Sequence, residues 1–176
     1  LSPRFHHNKT GFLERLAAAG VEPDDVDMVL LTHLHVDHVG WNTRLQDGAW
    51  VPTFPNAEYV ATATELEVRD PKRGAAEKPP QAWTTYLDSV QPIVDAGQMR
   101  VVEGTETIVP GVDLVPLPGH APGMVGIRVR SGGKEALFIA DAMPQPIQIS
   151  HPEWSSKYCE NPDLANETRA KMLKHA

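Results

Sequence analysis

Apolar residues recur along this chain with two periods, and the changes between them mark its elements. Phe12, Leu13 and Leu16 lie on one face at helical spacing, so residues 10–19 are predicted to form a helix, with Gly20 as its stop. An acidic, proline-containing turn over 21–25 feeds a predicted strand over 26–31. A short strand at 58–61 and a helix at 62–69 follow. Residues 71–80, rich in Lys, Glu, Gly and Pro, read as a linker into a helix over 81–94, on which Trp83, Tyr86, Leu87 and Val90 keep helical spacing. Strands are then predicted at 99–102, 112–115, 124–130 and 134–140. Val125, Ile127 and Val129 alternate with Gly126, Arg128 and Arg130, as in a half-buried strand, and Ser131-Gly132-Gly133 is the turn of a hairpin. A last helix starts at Asn161-Pro162, a cap followed by proline in the first turn. There is no internal repeat.

The chemistry lies where predicted strands run into loops. Thr32-His33-Leu34-His35-Val36-Asp37-His38-Val39-Gly40 follows the apolar Val29-Leu30-Leu31 and holds three imidazoles and a carboxylate within six residues. In an extended segment alternate side chains share a face, so His33, His35 and Asp37 are expected to point one way, with His38 joining from the turn. Neutral imidazole and carboxylate are the ligands that zinc, manganese and iron accept. A solvated, tag-like tract is the simpler alternative, but such a tract would not follow a Val/Leu strand. Two further junctions also carry metal-type ligands: His120 in the loop Pro118-Gly119-His120-Ala121-Pro122-Gly123, and Asp141 after Ala136-Leu137-Phe138-Ile139-Ala140. Each alone is more often structural.

Together these three segments resemble the signature of the metallo-β-lactamase superfamily: His-x-His-x-Asp-His, a Gly-His loop, then an Asp at a strand end. The resemblance runs from the strand before His33 to just beyond Asp141. It implies an α/β fold, a four-layer αβ/βα sandwich, with the site at the edge of its sheets. It also implies ligand roles: His33, His35 and His120 on one metal, Asp37 and His38 on a second, and Asp141 bridging. The cofactor expected is a pair of divalent ions, zinc first, with manganese or iron as alternatives.

The same pattern normally closes with one more histidine, 40 to 50 residues after the bridging Asp. Here the last 35 residues offer only His151, in a Ser-His-Pro-Glu-Trp loop close to Asp141, and His175 in an apparent terminal helix. Neither suits the role, so the last ligand is expected beyond residue 176. The chain is expected to be a single domain over 1–176 that lacks N-terminal strands and the last-ligand segment.

The ligand set carries an expected mechanism. Two metals bridged by a carboxylate and a water would lower the water's pKa and present a hydroxide to a carbonyl or phosphoryl group. Asp37, the candidate catalytic residue, would orient that hydroxide or carry a proton to the leaving group. Histidine at position 35, where the flavo-diiron enzymes that resemble the family usually have Glu, favours a hydrolytic centre. A mononuclear iron dioxygenase of the same fold is the alternative, and a metal-binding fragment without turnover is another. Trp41, directly after the motif, and Trp83 are candidate substrate-binding residues. The segments around Asp141 look like those of lactonases and organophosphorus hydrolases. Pro144 stands where such lactonases often have Tyr, which broadens the expectation to an esterase, lactonase or phosphotriesterase.

Composition narrows the partners. The chain carries 16 basic and 23 acidic side chains, a net charge of −7, and no Lys/Arg run, so nucleic acid is not an expected partner. A small-molecule substrate is expected, a homodimer is possible, and no membrane association is expected because no apolar run approaches membrane length. A cytoplasmic location is the corresponding expectation. Cys159 is the only cysteine, which excludes an intrachain disulfide, and it reads as structural rather than nucleophilic. Neither a Gly-x-Ser-x-Gly elbow nor a phosphate-binding glycine loop competes with the metal chemistry.

Overall fold

The computed structural model describes residues 10–73 and 83–174. Most of the expected 71–80 linker, the first residues of the helix expected from 81, and His175 lie outside them. The described residues fall into two compact units. One runs to Val60 and resumes over Glu67–Val101; the other comprises Ala61–Leu66 and the chain from Val102 onward.

In the first unit, helix α1 (Phe12–Ala18) is shorter than expected by two residues at its start and one at its end, and Gly20 terminates it at φ 81°. Its apolar face supplies Phe12 and Leu16 to a core of Phe54, Ala57, Tyr59 and Ile93, which Val26, Val29 and Met99 also pack. A three-stranded sheet has the order β1 (Met28–Leu30), β4 (Glu58–Thr62), β5 (Met99–Val102). β1 and β4 are parallel, with Leu30 opposite Val60. Leu31 extends the ladder by donating to the Val60 carbonyl at 3.0 Å, so the chain is still held by the sheet as it enters the histidine motif.

Between these strands lies a hairpin that was not expected, β2 (Thr43–Gln46) with β3 (Ala49–Pro52). It turns on Asp47 (φ 52°) and Gly48 (φ 83°), positive at both central residues, as a two-residue turn requires if it is to match strand twist. The helix expected over 81–94 is instead two, α3 (Thr84–Ser89) and α4 (Gln91–Asp95). Pro92 has no N–H for the preceding turn, and the chain breaks at Val90 (φ −122°) before restarting. Asn42 and Thr43 donate to the Ser89 and Asp88 carbonyls at 3.1 and 2.8 Å, tying the segment after the motif to the end of α3. Tyr59 is fully buried; its hydroxyl donates to the Asn42 carbonyl at 3.0 Å, and burial raises its pKa.

The second unit is built on an antiparallel sheet, β6 (Thr107–Val109), β7 (Val112–Pro116), β8 (Val125–Ser131) and β9 (Lys134–Phe138), in that order. β8 and β9 meet at the expected turn, where Gly132 and Gly133 both have positive φ. At the start of the unit, the Glu106 carboxylate accepts the N–H groups of Glu103, Gly104 and Thr105 at 2.7–2.8 Å. These bonds, that of Glu103 foremost, hold its pKa below the usual range. The core consists of Leu117, Ala121, Met124 and Ala142, with Val115, Ile139 and Met172 against it.

The strand expected over 134–140 ends at Phe138. Ala140 turns to a left-handed conformation (φ 47°), and Asp141 sits on a short 3-10 turn, Ala140–Ala142. β9 is exposed along its length, Phe138 at 60%. Its apolar sequence therefore did not mean burial.

Helix α5 (Pro162–Leu173) starts as expected: the Asn161 side chain accepts from the Leu164 N–H at 3.0 Å and Pro162 fills the first turn. Its central residue is Arg169, which is wholly buried. The guanidinium donates to the Pro152 carbonyl (2.6 Å), the Ala142 carbonyl (3.2 Å), Ser155 Oγ (2.6 Å) and Asn166 Oδ1. A planar five-donor group thus fastens the 142–155 segment to α5. Arg169→Met would keep most of the volume and strand those acceptors. It should destabilise the protein by about 2–4 kcal/mol in urea unfolding; a loss under ~0.5 kcal/mol would mean that the segment is held by other contacts.

Candidate metal centre

The first unit places three histidines of the motif side by side. His33 is 1% exposed, and its ring lies 4.6 Å from His35, edge on, and 4.1 Å from His38. A donor nitrogen of His33 is within 4.8 Å of one on each of those two rings. The backbone explains the arrangement: the chain leaves β1 through Leu31, runs without regular structure to His35, then turns so that the His38 N–H donates to the His35 carbonyl at 3.0 Å. Asp37 falls on that turn and is exposed.

Two neighbours bear on the rings. Thr32 Oγ1 is 3.2 Å from His33 Nδ1, a contact that orients the ring, as the outer partners of metal-binding histidines do. Arg69, at the end of α2 (Ala63–Arg69), brings its guanidinium to 3.1 Å from His35 Nε2. A guanidinium has only donors, so this contact uses the Nε2 lone pair and puts a positive group at the edge of the imidazole.

In the second unit His120 is 3% exposed, and its Nε2 lies 3.2 Å from Asp141 Oδ2. The loop that carries it is fixed at both ends. Gly119 and His120 accept at their carbonyls from Asn161 N (2.9 Å) and Glu160 N (3.1 Å). Glu65, itself buried, accepts the Gly123 N–H at 3.0 Å, and Thr62 donates to the Gly123 carbonyl at 2.9 Å. On its other edge His120 presents Nδ1 to Cys159 Sγ at 3.8 Å.

Trp41 and Trp83, the expected substrate residues, both belong to the first unit. Trp41 packs at 5.4 Å on Phe12, and its indole N–H donates to Thr10 Oγ1 at 3.1 Å. Trp83 is half-buried at the N-terminus of α3. His151 stacks on Trp154 at 4.3 Å and lies in the loop that was expected for it. Thr32, Glu65, Arg69 and Cys159 were not foreseen around the histidines. Only Thr32, next to the motif, had a signal in sequence.

The donor chemistry fits divalent metal ions. Buried His33 packs against the half-buried rings of His35 and His38, and buried His120 against the Asp141 carboxylate, so each unit gathers metal-type donors at short range. Imidazole and carboxylate together are the ligand set of zinc and of its first-row neighbours.

Comparison with known proteins identifies the family. The family model described as the metallo-beta-lactamase superfamily matches residues 5–174. The chain belongs to the metallo-β-lactamase superfamily. Among curated members, the N-acyl homoserine lactonase AiiA of Bacillus thuringiensis subsp. kurstaki is 32% identical over 108 residues, 61% of this chain and 34% of that enzyme. The N-acyl homoserine lactonase AttM of Rhizobium radiobacter is 28% identical over 129 residues, 73% of this chain and 45% of that enzyme. The chain thus spans about a third of the length of the first curated relatives. Among solved structures, the hydrolase AbOPH of the β-lactamase superfamily matches with a TM-score of 0.79 and 28% identity, over 92% of this chain and 57% of that one. AidC, a dizinc quorum-quenching lactonase solved with N-hexanoyl-L-homoserine, matches with a TM-score of 0.76 and 23% identity, over 96% of this chain and 60% of that one. These matches show the mixed helix and sheet fold of the superfamily. No helix among the described residues is long and apolar enough to cross a membrane.

Proposed function

We propose that this metallo-β-lactamase superfamily chain carries the metal-binding part of a hydrolase that opens lactones and related esters. The observation that carries the proposal is the set of donors in each unit: His33, His35 and His38 clustered after β1, and His120 facing Asp141 after β7 and β9. The lactonase relatives support lactones as the substrate class. On this reading the first unit would offer His33, His35, Asp37 and His38 to divalent ions, and the second would offer His120 and Asp141.

When bound, such ions would supply a water activated near neutral pH and a Lewis acid for the carbonyl oxygen. The chain's own residues do the rest. Thr32 fixes the His33 ring, and the clamp from Glu65, Glu160 and Asn161 holds the His120 loop. On this reading Asp37, exposed on its turn, would accept a proton or pass one to a departing alkoxide.

Metal content decides the matter first. The protein, purified without chelator or histidine tag and analysed by plasma mass spectrometry, should hold close to two zinc or manganese ions per chain. About one iron would favour a dioxygenase instead, and no metal would sink the metal-centre assignment for this chain.

A further inference from the structure

We propose that Cys159 is a positioning residue for His120, one that sets the imidazole tautomer through Nδ1 and so aims Nε2 at the metal. The inference rests on the metal assignment above and deepens it, because nothing in the superfamily motif involves this cysteine. The contact sits inside one unit. Cys159 is buried, its Sγ lies 3.8 Å from His120 Nδ1, and on the opposite side of the same ring Nε2 faces Asp141 Oδ2 at 3.2 Å.

A neutral imidazole has one N–H and one lone pair, so whatever engages one nitrogen decides what the other can offer. A histidine that binds a metal through Nε2 must carry its proton on Nδ1. In most metal sites a carboxylate or a backbone carbonyl receives that proton's hydrogen bond. Here Cys159 Sγ stands at Nδ1 in a buried setting, and with the proton on Nδ1 it would be a weak acceptor.

The backbone supports a built arrangement over a chance approach. Glu160 and Asn161, which directly follow Cys159, donate their N–H groups to the His120 and Gly119 carbonyls at 3.1 and 2.9 Å. The Cys159 N–H is itself used by the Ser156 carbonyl at 3.0 Å. The thiol is therefore carried to the ring by the strip of chain that also holds the ring's own peptide. Because these clamps are main-chain bonds, changing the side chain at 159 removes the sulfur contact and leaves them in place.

The test compares wild type with Cys159→Ala, Cys159→Val and Cys159→Ser, using zinc titration against a competing chelator and thermal unfolding of each protein. Alanine and valine should weaken zinc binding by about 10- to 100-fold, the usual loss when an outer partner of a ligating histidine is removed. Serine, which keeps an acceptor, should stay near wild type. Nitrogen-15 shifts of His120 in the zinc-loaded wild type should show the proton on Nδ1. Valine keeps the site filled, so it remains informative if alanine fails to fold. Wild-type zinc affinity in both the alanine and valine proteins would overturn the role of Cys159 while leaving the metal centre standing, whereas a His120 proton on Nε2 in the zinc-loaded protein would overturn His120 as an Nε2 ligand and this inference with it. Failure of the wild type itself to bind zinc would overturn the metal assignment and this inference with it.

Discussion

Replacing His33 or Asp141 by alanine should cut lactone or ester turnover by about 10³-fold or more, a loss of several kcal/mol of transition-state stabilisation. The effect is large because each residue is expected to act through a metal ion. Loss of a ligand would then remove the Lewis acid and the activated water together. The two substitutions differ in their structural cost. His33 is 1% exposed and packs against two other rings, so alanine leaves a small buried void. Asp141 has a quarter-exposed side chain and sits on a 3-10 turn, where alanine is easily accommodated. Asp141→Ala is therefore the cleaner probe, and its melting temperature should stay within a few degrees of wild type. The two variants should lose turnover to a similar extent, with zinc stoichiometry falling in parallel. If kcat/KM for a lactone panel is the same in both variants and in wild type, these residues do not hold the reacting centre.

The parts of this molecule that were legible in sequence share a property: their signal is local. The histidine motif compresses its donors into six residues, so the cluster of His33, His35 and His38 follows from one strand exit and one turn. The α5 start was readable from Asn161-Pro162, and the β8–β9 turn from Gly132-Gly133. The β2–β3 hairpin also carried its signal, since Asp47-Gly48 is among the strongest two-residue turns. Its strands, Thr-Arg-Leu-Gln and Ala-Trp-Val-Pro, are short and lack a clean apolar alternation, so the hydrophobic pattern does not announce them.

What was not legible depends on contacts between residues far apart in the chain. Arg69 reaches His35 across 34 positions, Gly123 reaches Glu65 across 58, and Cys159 reaches His120 across 39. No periodicity announces such pairs. The burial of Arg169 belongs to the same group: an arginine in mid-helix reads as a solvated residue until the carbonyls of Ala142 and Pro152 are known to face it. Trp41 belongs with these pairs as well: its ring meets Phe12 across 29 positions and its N–H meets Thr10 across 31.

Gly119→Ala should be among the most damaging single-methyl additions in the chain, destabilising the protein by about 3–5 kcal/mol and disabling metal binding at His120. Two independent costs combine there. Gly119 has φ 129°, a conformation that residues with a Cβ rarely adopt. A Cβ at that position would also lie 2.3 Å from the Ala165 backbone nitrogen and 2.4 Å from its Cα. Those atoms belong to α5, which cannot yield as the end of a flexible side chain would. Relief must come from moving the Gly119-His120 peptide away from the helix, at the expense of the bonds from Glu160 and Asn161 and of the contact between His120 and Cys159. The variant should thus lose zinc affinity even at temperatures where it remains folded. Gly132→Ala makes the matched control: it too has a positive φ (56°), but its Cβ would meet nothing within 4 Å. If zinc titration and urea unfolding give equal results for the two variants, positive φ alone sets the cost, and the close packing of the His120 loop on α5 contributes nothing measurable.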